Sequence, residues 1–319
     1  MRGTDPITVL SIAIAPKTET DRQKLDRGLH RLMAEDPTFR VRTVRDSGQV
    51  IIAGLGERHL EIILDRLARE FHVEATVGKL QVAYKEMLTR PADGDGRYIS
   101  QTGGRGQYGH VKIHLWPGEP GTGYVFESQT VGGSIPDEFI EPIHRGIEEA
   151  LGRGVLAGYP IDDVRIQLYD GSYRDVDSTE TAFRIAGAMA FKDAAARARP
   201  VLLEPVMRVE VVVPREQMRE VMSNLCSRRG HIQSQEDRGR MQIIQARVPL
   251  SEMLGYATDL RARTFGRATY SLHLDRYQER LDGPDSDGDR ESFVTARRKP
   301  TPKVDDAAMA LHEPDDEGL

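Results

Sequence analysis

The order strand, helix, strand, strand, helix, strand occurs twice in this chain of 319 residues, and that repetition restricts its fold more than any other feature. The first occurrence spans about residues 5–79. ITVLSIAI (7–14) is rich in β-branched residues and reads as a strand. Thr20, with Gln23 three residues on, has the spacing of a capping box. Leu25, Leu29, Leu32 and Met33 then recur at helical intervals. FRVRTV (39–44) and QVIIAGL (49–55) alternate as paired strands about an Asp46-Ser47-Gly48 turn. Residues 57–71 place Leu60, Ile63, Leu64 and Leu67 on one helical face, and VEATVG (73–78) closes the unit.

The second occurrence uses different residues over about 204–275. PVMRVEVVV (205–213) is a strand, and Pro214 opens a helix where its missing N–H costs nothing. GHIQSQ (230–235) and RMQIIQARV (240–248) form a hairpin about Gly239. A helix is expected from Ser251, and RATYSLHL (267–274) is the last strand. The predicted fold class is α+β, with two ferredoxin-like split domains, each a sheet covered by helices on one face.

Between them lies a glycine-rich block, about 80–203. Strands are predicted at 111–116, 124–131 and 163–170, with a helix over about 142–151. A second helix, introduced by Asp177 and stopped by Pro200, carries a small-residue face of Ala186, Gly187, Ala190 and Ala194. The formal charge is −6, but its location matters more than its sum. Residues 275–319 hold 7 Lys/Arg against 13 Asp/Glu, which leaves 37 of each before them. The body is neutral and has room for basic surfaces. The polar, acidic stretch 276–319 is expected to be disordered.

Cys226 is the only cysteine, so no intrachain disulfide is available; it is expected to be a small packed side chain. A reducing cytoplasm and no membrane partner are expected, since no apolar run reaches about 18 residues and no signal segment precedes the first strand. No GxxxxGK[ST] occurs, so nothing in the sequence cradles a nucleoside triphosphate. GRGQYG (104–109) satisfies G-x-G-x-x-G, but a strand follows it where a dinucleotide site needs a helix. A loop between strands is the better reading: glycines allow close backbone approach, Arg105 suits phosphate, and Gln107, Tyr108 and His110 can bond or stack. His110 and His114 share one strand face, but further metal ligands are not placed by spacing. DGSYRDVDS (170–178) is either a second RNA-touching tip or a solvated turn that caps the next helix. Arg228, Arg229, Arg261, Arg263 and Arg267 gather at two helix–strand junctions, a phosphate-binding rim or plain solvated charge.

Long runs carry a resemblance. IIAGLGERHLEI (51–62), VEATVGKLQVAYKE (73–86), GGRGQYGHV (103–111), LAGYPIDD (156–163), GSYRDVDS (171–178), AFKDAAARARPVLLEP (190–205) and PLSEMLGYATDLRARTFGRATY (249–270) are similar to bacterial elongation factor G, in unbroken order. They resemble its third, fourth and fifth domains; its GTPase domain and the β-barrel after it have no counterpart here. The resemblance implies a ferredoxin-like third domain (5–79) and an elongated fourth domain (80–203), ribosomal protein S5 domain 2-like. A ferredoxin-like fifth domain (204–275) completes it. The fourth would enter the decoding site during translocation of tRNA and mRNA. Its tip loops match Gly103, Gly104, Arg105, Gly106, Gln107, Tyr108, Gly109 and His110, with Ser172, Tyr173, Arg174 and Asp175. The fifth would meet large-subunit rRNA near the sarcin–ricin loop, which favours the arginine cluster as a contact.

The resemblance implies the ribosome as partner to a monomeric chain, with GTP and Mg held by the family's GTPase domain, on a separate or fused chain, and no cofactor here. Arg174 stands where the family commonly has histidine, and Arg58 where leucine is commoner. A ribosome-protection or ribosome-recycling relative, or a free-standing ribosome-binding module, is the alternative; the GGRGQYGH run favours translocation.

Overall fold

In this computed structural model the described residues are 8–43, 49–101, 106–130 and 134–280. The first block forms β1 (Leu10–Pro16), α1 (Glu19–Glu35), β2 (Arg40–Thr43), β3 (Val50–Gly54), α2 (Glu57–Arg69) and β4 (Ala75–Val82). Its strands pair antiparallel in the order β2-β3-β1-β4. Leu10, Ile12 and Ile14 alternate into the core, which also takes Leu25, Leu29 and Leu32 of α1 and Leu60, Ile63 and Leu67 of α2. The α1 cap is Thr18, not Thr20. Its hydroxyl oxygen accepts the Asp21 N–H at 3.1 Å. Asp21 decides between the two threonines: its carboxylate also accepts the Glu74 N–H at 3.2 Å, which ties the cap to the approach of β4. The Asp46-Ser47-Gly48 turn lies outside the described residues.

The middle block contains β5 (Lys85–Leu88), β6 (Ala92–Ser100), β7 (Gln107–Pro117), β8 (Tyr124–Ser128), α3 (Ile140–Leu151), β9 (Val164–Ser172) and α4 (Glu180–Arg197). The sheet order is β6-β7-β9-β8, antiparallel except for the β8–β9 pair. Val111, Ile113, Leu115, Ile166 and Leu168 form a core with Ile143, Ile147, Phe183 and Ala190 of the helices. Strand β6 is absent from the sequence reading, because ADGDG (92–96) has the composition of a turn. Its glycines serve α4 instead. A Cβ on Gly96 would lie 2.1 Å from the Ala186 carbonyl oxygen, and one on Gly94 2.1 Å from that of Ala190. The small-residue face of α4 therefore packs directly on a strand that lacks side chains there. The helix is capped by Thr179, whose hydroxyl accepts the Ala182 N–H at 3.1 Å, and not by Asp177.

The last block forms β10 (Pro200–Pro214), α5 (Met218–Ser227), β11 (His231–Arg238), β12 (Met241–Pro249), α6 (Tyr256–Thr264) and β13 (Thr269–Glu279), with sheet order β11-β12-β10-β13. Helix α6 starts later than Ser251, because Leu250–Met253 is a 3-10 turn and Gly255 takes a left-handed φ of +71°. Strand β13 continues past Leu274, since it stays paired with β10 across a bulge at Val206/Met207. Cys226 is exposed, a correction to the packed position expected. The buried positions of α5 are Val221 and Leu225, and Cys226 falls just outside that stripe.

The first four residues of β10 also pair with β5, Pro200 with Leu88 and Leu203 with Lys85. The chain thus enters and leaves the middle domain through neighbouring antiparallel strands, and 89–199 is one excursion from a shared base. At that base Glu86, 1% exposed, accepts N–H groups from Val155, Leu156, Ala157, Gly158 and Tyr159 at 2.7–3.0 Å. Among the described residues no helix is long and apolar enough to cross a membrane.

Candidate nucleic-acid interface

At the far end of the excursion the start of β7 meets the segment that follows β9. Ser100 pairs with Gln107 where β6 turns into β7, and His110 pairs with Ser172 at the end of β9. The connections 101–106 and 173–178 therefore leave the sheet at the same end. Tyr108 donates its N–H to the Asp177 carbonyl at 2.8 Å, and Arg174 donates its N–H to the Ser178 hydroxyl oxygen at 2.9 Å. Close approach is built in: a Cβ on Gly171 would sit 2.3 Å from the His110 carbonyl oxygen.

A polar chain runs beneath this surface. The Tyr108 hydroxyl lies 2.7 Å from Ser172 Oγ, which lies 3.0 Å from His110 Nδ1, while His110 Nε2 is 3.0 Å from the Asp95 carboxylate. With a neutral imidazole only one direction satisfies every group. Nε2–H donates to Asp95, so Nδ1 accepts from Ser172, whose oxygen accepts from Tyr108. The Tyr108 side chain is buried at 4% exposure, and the Arg174 guanidinium lies 4.4 Å above its ring, with that of Arg97 at 5.8 Å. Tyr108 is therefore a platform under a cation rather than a face open to a base. Neither Arg97 nor Arg174 pairs with a carboxylate among the described residues. Lys112 differs: it bonds Asp170 at 2.9 Å, and that bond holds the Asp170 carboxyl below its ordinary range.

Tyr173 is 42% exposed, Arg174 and Asp175 are exposed, and Gly106, Gln107 and Ser172 are half-buried. Gly109 is buried within β7. Gly103, Gly104 and Arg105 lie outside the described residues. Sequence reasoning missed Arg97, because its strand was missed; its register opposite His110 is the only signal that places it.

The five late arginines do not share one edge. Because α5 and α6 run antiparallel, Arg228 and Arg229 lie by the start of β10, whereas Arg263 and Arg267 reach Glu220 and Glu216 at the other end of α5. Arg228 bonds Asp259 at 3.0 Å, Asn224 Oδ1 at 3.2 Å and the Glu252 carbonyl, and covers the buried Tyr256 ring. Arg229, at a left-handed φ of +58°, bonds the buried Glu204 at 2.7 Å. Arg263 bonds Asp259 at 2.9 Å and Glu220 at 3.3 Å. Arg267 has only Glu216 at 4.0 Å, both side chains being exposed. Arg261 is exposed and makes no ion pair with a described residue. Three arginines thus brace the fold, and Arg261 and Arg267 face outward.

Asp259 links α5 to α6 through this network. Partial burial pushes its carboxyl up, but the hydrogen bonds from Arg228 and Arg263 more than offset it, so the group sits below its ordinary value. A carboxyl lowered in the folded state stabilises fully above its unfolded pKa of about 3.9, and that contribution disappears as pH falls through the lowered native value. Asp259→Asn is therefore expected to cost about 1–2 kcal/mol at pH 7. Urea denaturation of the two proteins should show that gap narrowing below pH 4; a gap constant from pH 7 to pH 3 would contradict the assignment.

Comparison with known proteins places each block. The family model described as elongation factor G, domain III matches residues 6–79. The domain IV model matches 80–199, and the elongation factor G C-terminus model matches 201–283. A crystal structure of a protein from Thermus thermophilus is similar, with 39% sequence identity and a TM-score of 0.64. That likeness covers 88% of this chain and 42% of the other, so the chain spans less than half the length of the protein it matches. Two ferredoxin-like units at the base of one excursion, matched in order by these models, mark the chain as part of a translation-factor family. More narrowly, the chain belongs to the elongation factor G family.

Proposed function

We propose that this chain is the ribosome-engaging portion of an elongation factor G and promotes movement of tRNA and mRNA by placing its tip in the decoding site. The observation that carries this reading is at the far end of the excursion, where Arg174 is held over a buried Tyr108 and is free of any described carboxylate. A guanidinium already stacked on a ring loses less freedom when it meets a phosphate than a swinging one. Tyr173 and the glycine-bearing loop supply shape, and Arg105 a second cation. The outward Arg261 and Arg267 suit large-subunit rRNA near the sarcin–ricin loop. Hydrolysis of GTP, with its Mg, is assigned to a domain outside this chain; the residues here act by binding, in the cytoplasm, as a monomer, and without covalent chemistry.

The test joins the chain to a GTPase-bearing half and follows tRNA and mRNA movement on ribosomes. Arg174→Ala removes one charge-assisted phosphate contact, and movement is expected to slow about tenfold with GTP turnover unchanged. Movement at the wild-type rate would remove the tip from the mechanism. Ribosome affinity of the chain is expected to fall steeply between about 50 and 200 mM salt, as phosphate contacts require.

A further inference from the structure

Phe265 is the most exposed large apolar side chain among the described residues, at 82%. It caps the C-terminus of α6 with φ 52° and ψ 37°, a left-handed conformation that glycine or asparagine adopts far more cheaply. The turn around it is fixed. Phe265 and Gly266 both donate their N–H groups to the Arg261 carbonyl, and Arg267 donates to the Thr264 carbonyl at 3.0 Å. The buried Thr264 hydroxyl donates to the Leu260 carbonyl at 2.7 Å. A phenyl ring here is strained and wet, so neither helix termination nor core packing accounts for it.

Its neighbours point to an occupant. Arg261 has no ion pair with a described residue, Arg267 has only the distant Glu216, and Ala262 and Gly266 are exposed with no apolar side chain of their own beyond a methyl. A protein-binding hot spot would set the ring in an apolar surround, with charge kept to the rim. An exposed ring on a turn that also carries two exposed arginines, four residues before it and two after, is instead the combination that stacks an unpaired base while the cations take the flanking phosphates. We propose that Phe265 is a stacking platform for an unpaired RNA base, with Arg261 and Arg267 as its phosphate contacts. The inference rests on the reading that this domain meets rRNA, and adds to it a residue and a mode of recognition.

The test uses the full chain, an RNA hairpin with 2-aminopurine in a six-nucleotide loop, and a blunt RNA duplex of matched length. Stacking quenches 2-aminopurine, so the wild-type chain is expected to quench it and to prefer the hairpin to the duplex. Phe265→Tyr is expected to retain both properties. Phe265→Asn suits the left-handed turn, so its melting temperature should not fall; it is expected to lose the quenching and about tenfold in hairpin affinity, with duplex affinity unchanged. Equal quenching by Phe265→Asn, or none by the wild type, overturns the proposal. So does a Phe265→Asn loss on whole ribosomes with none on the hairpin, which would make the ring a protein contact. Salt-insensitive ribosome binding by the wild-type chain is a separate outcome and would bring down the underlying rRNA reading itself.

Discussion

Replacing Glu86 with alanine is expected to destabilise the chain by about 4 kcal/mol or more, lowering the melting transition by roughly 10 °C. Five backbone N–H groups converge on this one carboxylate: Oε2 takes Val155 and Leu156, and Oε1 takes Ala157, Gly158 and Tyr159. Removing it leaves half-buried donors that water cannot all reach, and hydrogen bonds to a charged acceptor contribute more than neutral ones. Glu86→Gln keeps one acceptor oxygen but turns an NH2 group toward amides that already donate, so its loss should approach that of alanine. The effect should also reach the tip. The clamped loop feeds β9, which ends at Ser172, and β5 itself pairs with the start of β10. Thermal unfolding followed by circular dichroism tests the first claim; a shift below about 2 °C in either variant would refute the clamp as a stabilising element.

The two ferredoxin-like units were legible because their cores follow local rules. Period-2 strands and helical stripes such as Leu25, Leu29 and Leu32 encode burial within a few residues of each other. What stayed hidden depends on distant partners. Glu86 reads as one more surface acid, since its partners lie 69 to 73 residues on and are all backbone. Strand β6 reads as a turn because its glycines answer to α4, far along the chain. Of the candidate site, the pairing of the two loops at one tip was implied by the resemblance and not by their composition, and neither source indicated that Tyr108 would be buried under Arg174. Asp259 and Glu204 likewise make braces of Arg228, Arg229 and Arg263, which sequence alone shows only as a run of charge. Phe265 is invisible for the opposite reason: no pattern distinguishes an aromatic left outside from one that is packed.

Gly96→Ala is expected to cost at least about 3 kcal/mol, more than the usual overpacking penalty, because the new methyl meets backbone rather than a movable side chain. Its Cβ would stand 2.1 Å from the Ala186 carbonyl oxygen and 2.3 Å from the Ala190 nitrogen. Rotamer changes cannot relieve either contact; α4 must move off the sheet as a body. That distinction is testable by a second substitution. If side chains were at fault, Ala190→Gly would restore stability to the Gly96→Ala protein; because the clash is with main chain, the double variant is expected to be no more stable than Gly96→Ala alone. Gly56→Ala supplies the control, with nothing within 4 Å of the new Cβ, an extended backbone and an expected change under about 1 kcal/mol. Displacement of α4 should be felt at the tip as well, since Thr179 caps this helix and the adjacent Ser178 and Asp177 hold Arg174 and Tyr108 by backbone hydrogen bonds. A Gly96→Ala chain joined to a GTPase-bearing half should therefore move tRNA and mRNA slowly even at temperatures where it is folded. Wild-type movement in that protein would show that tip geometry does not depend on the seating of α4.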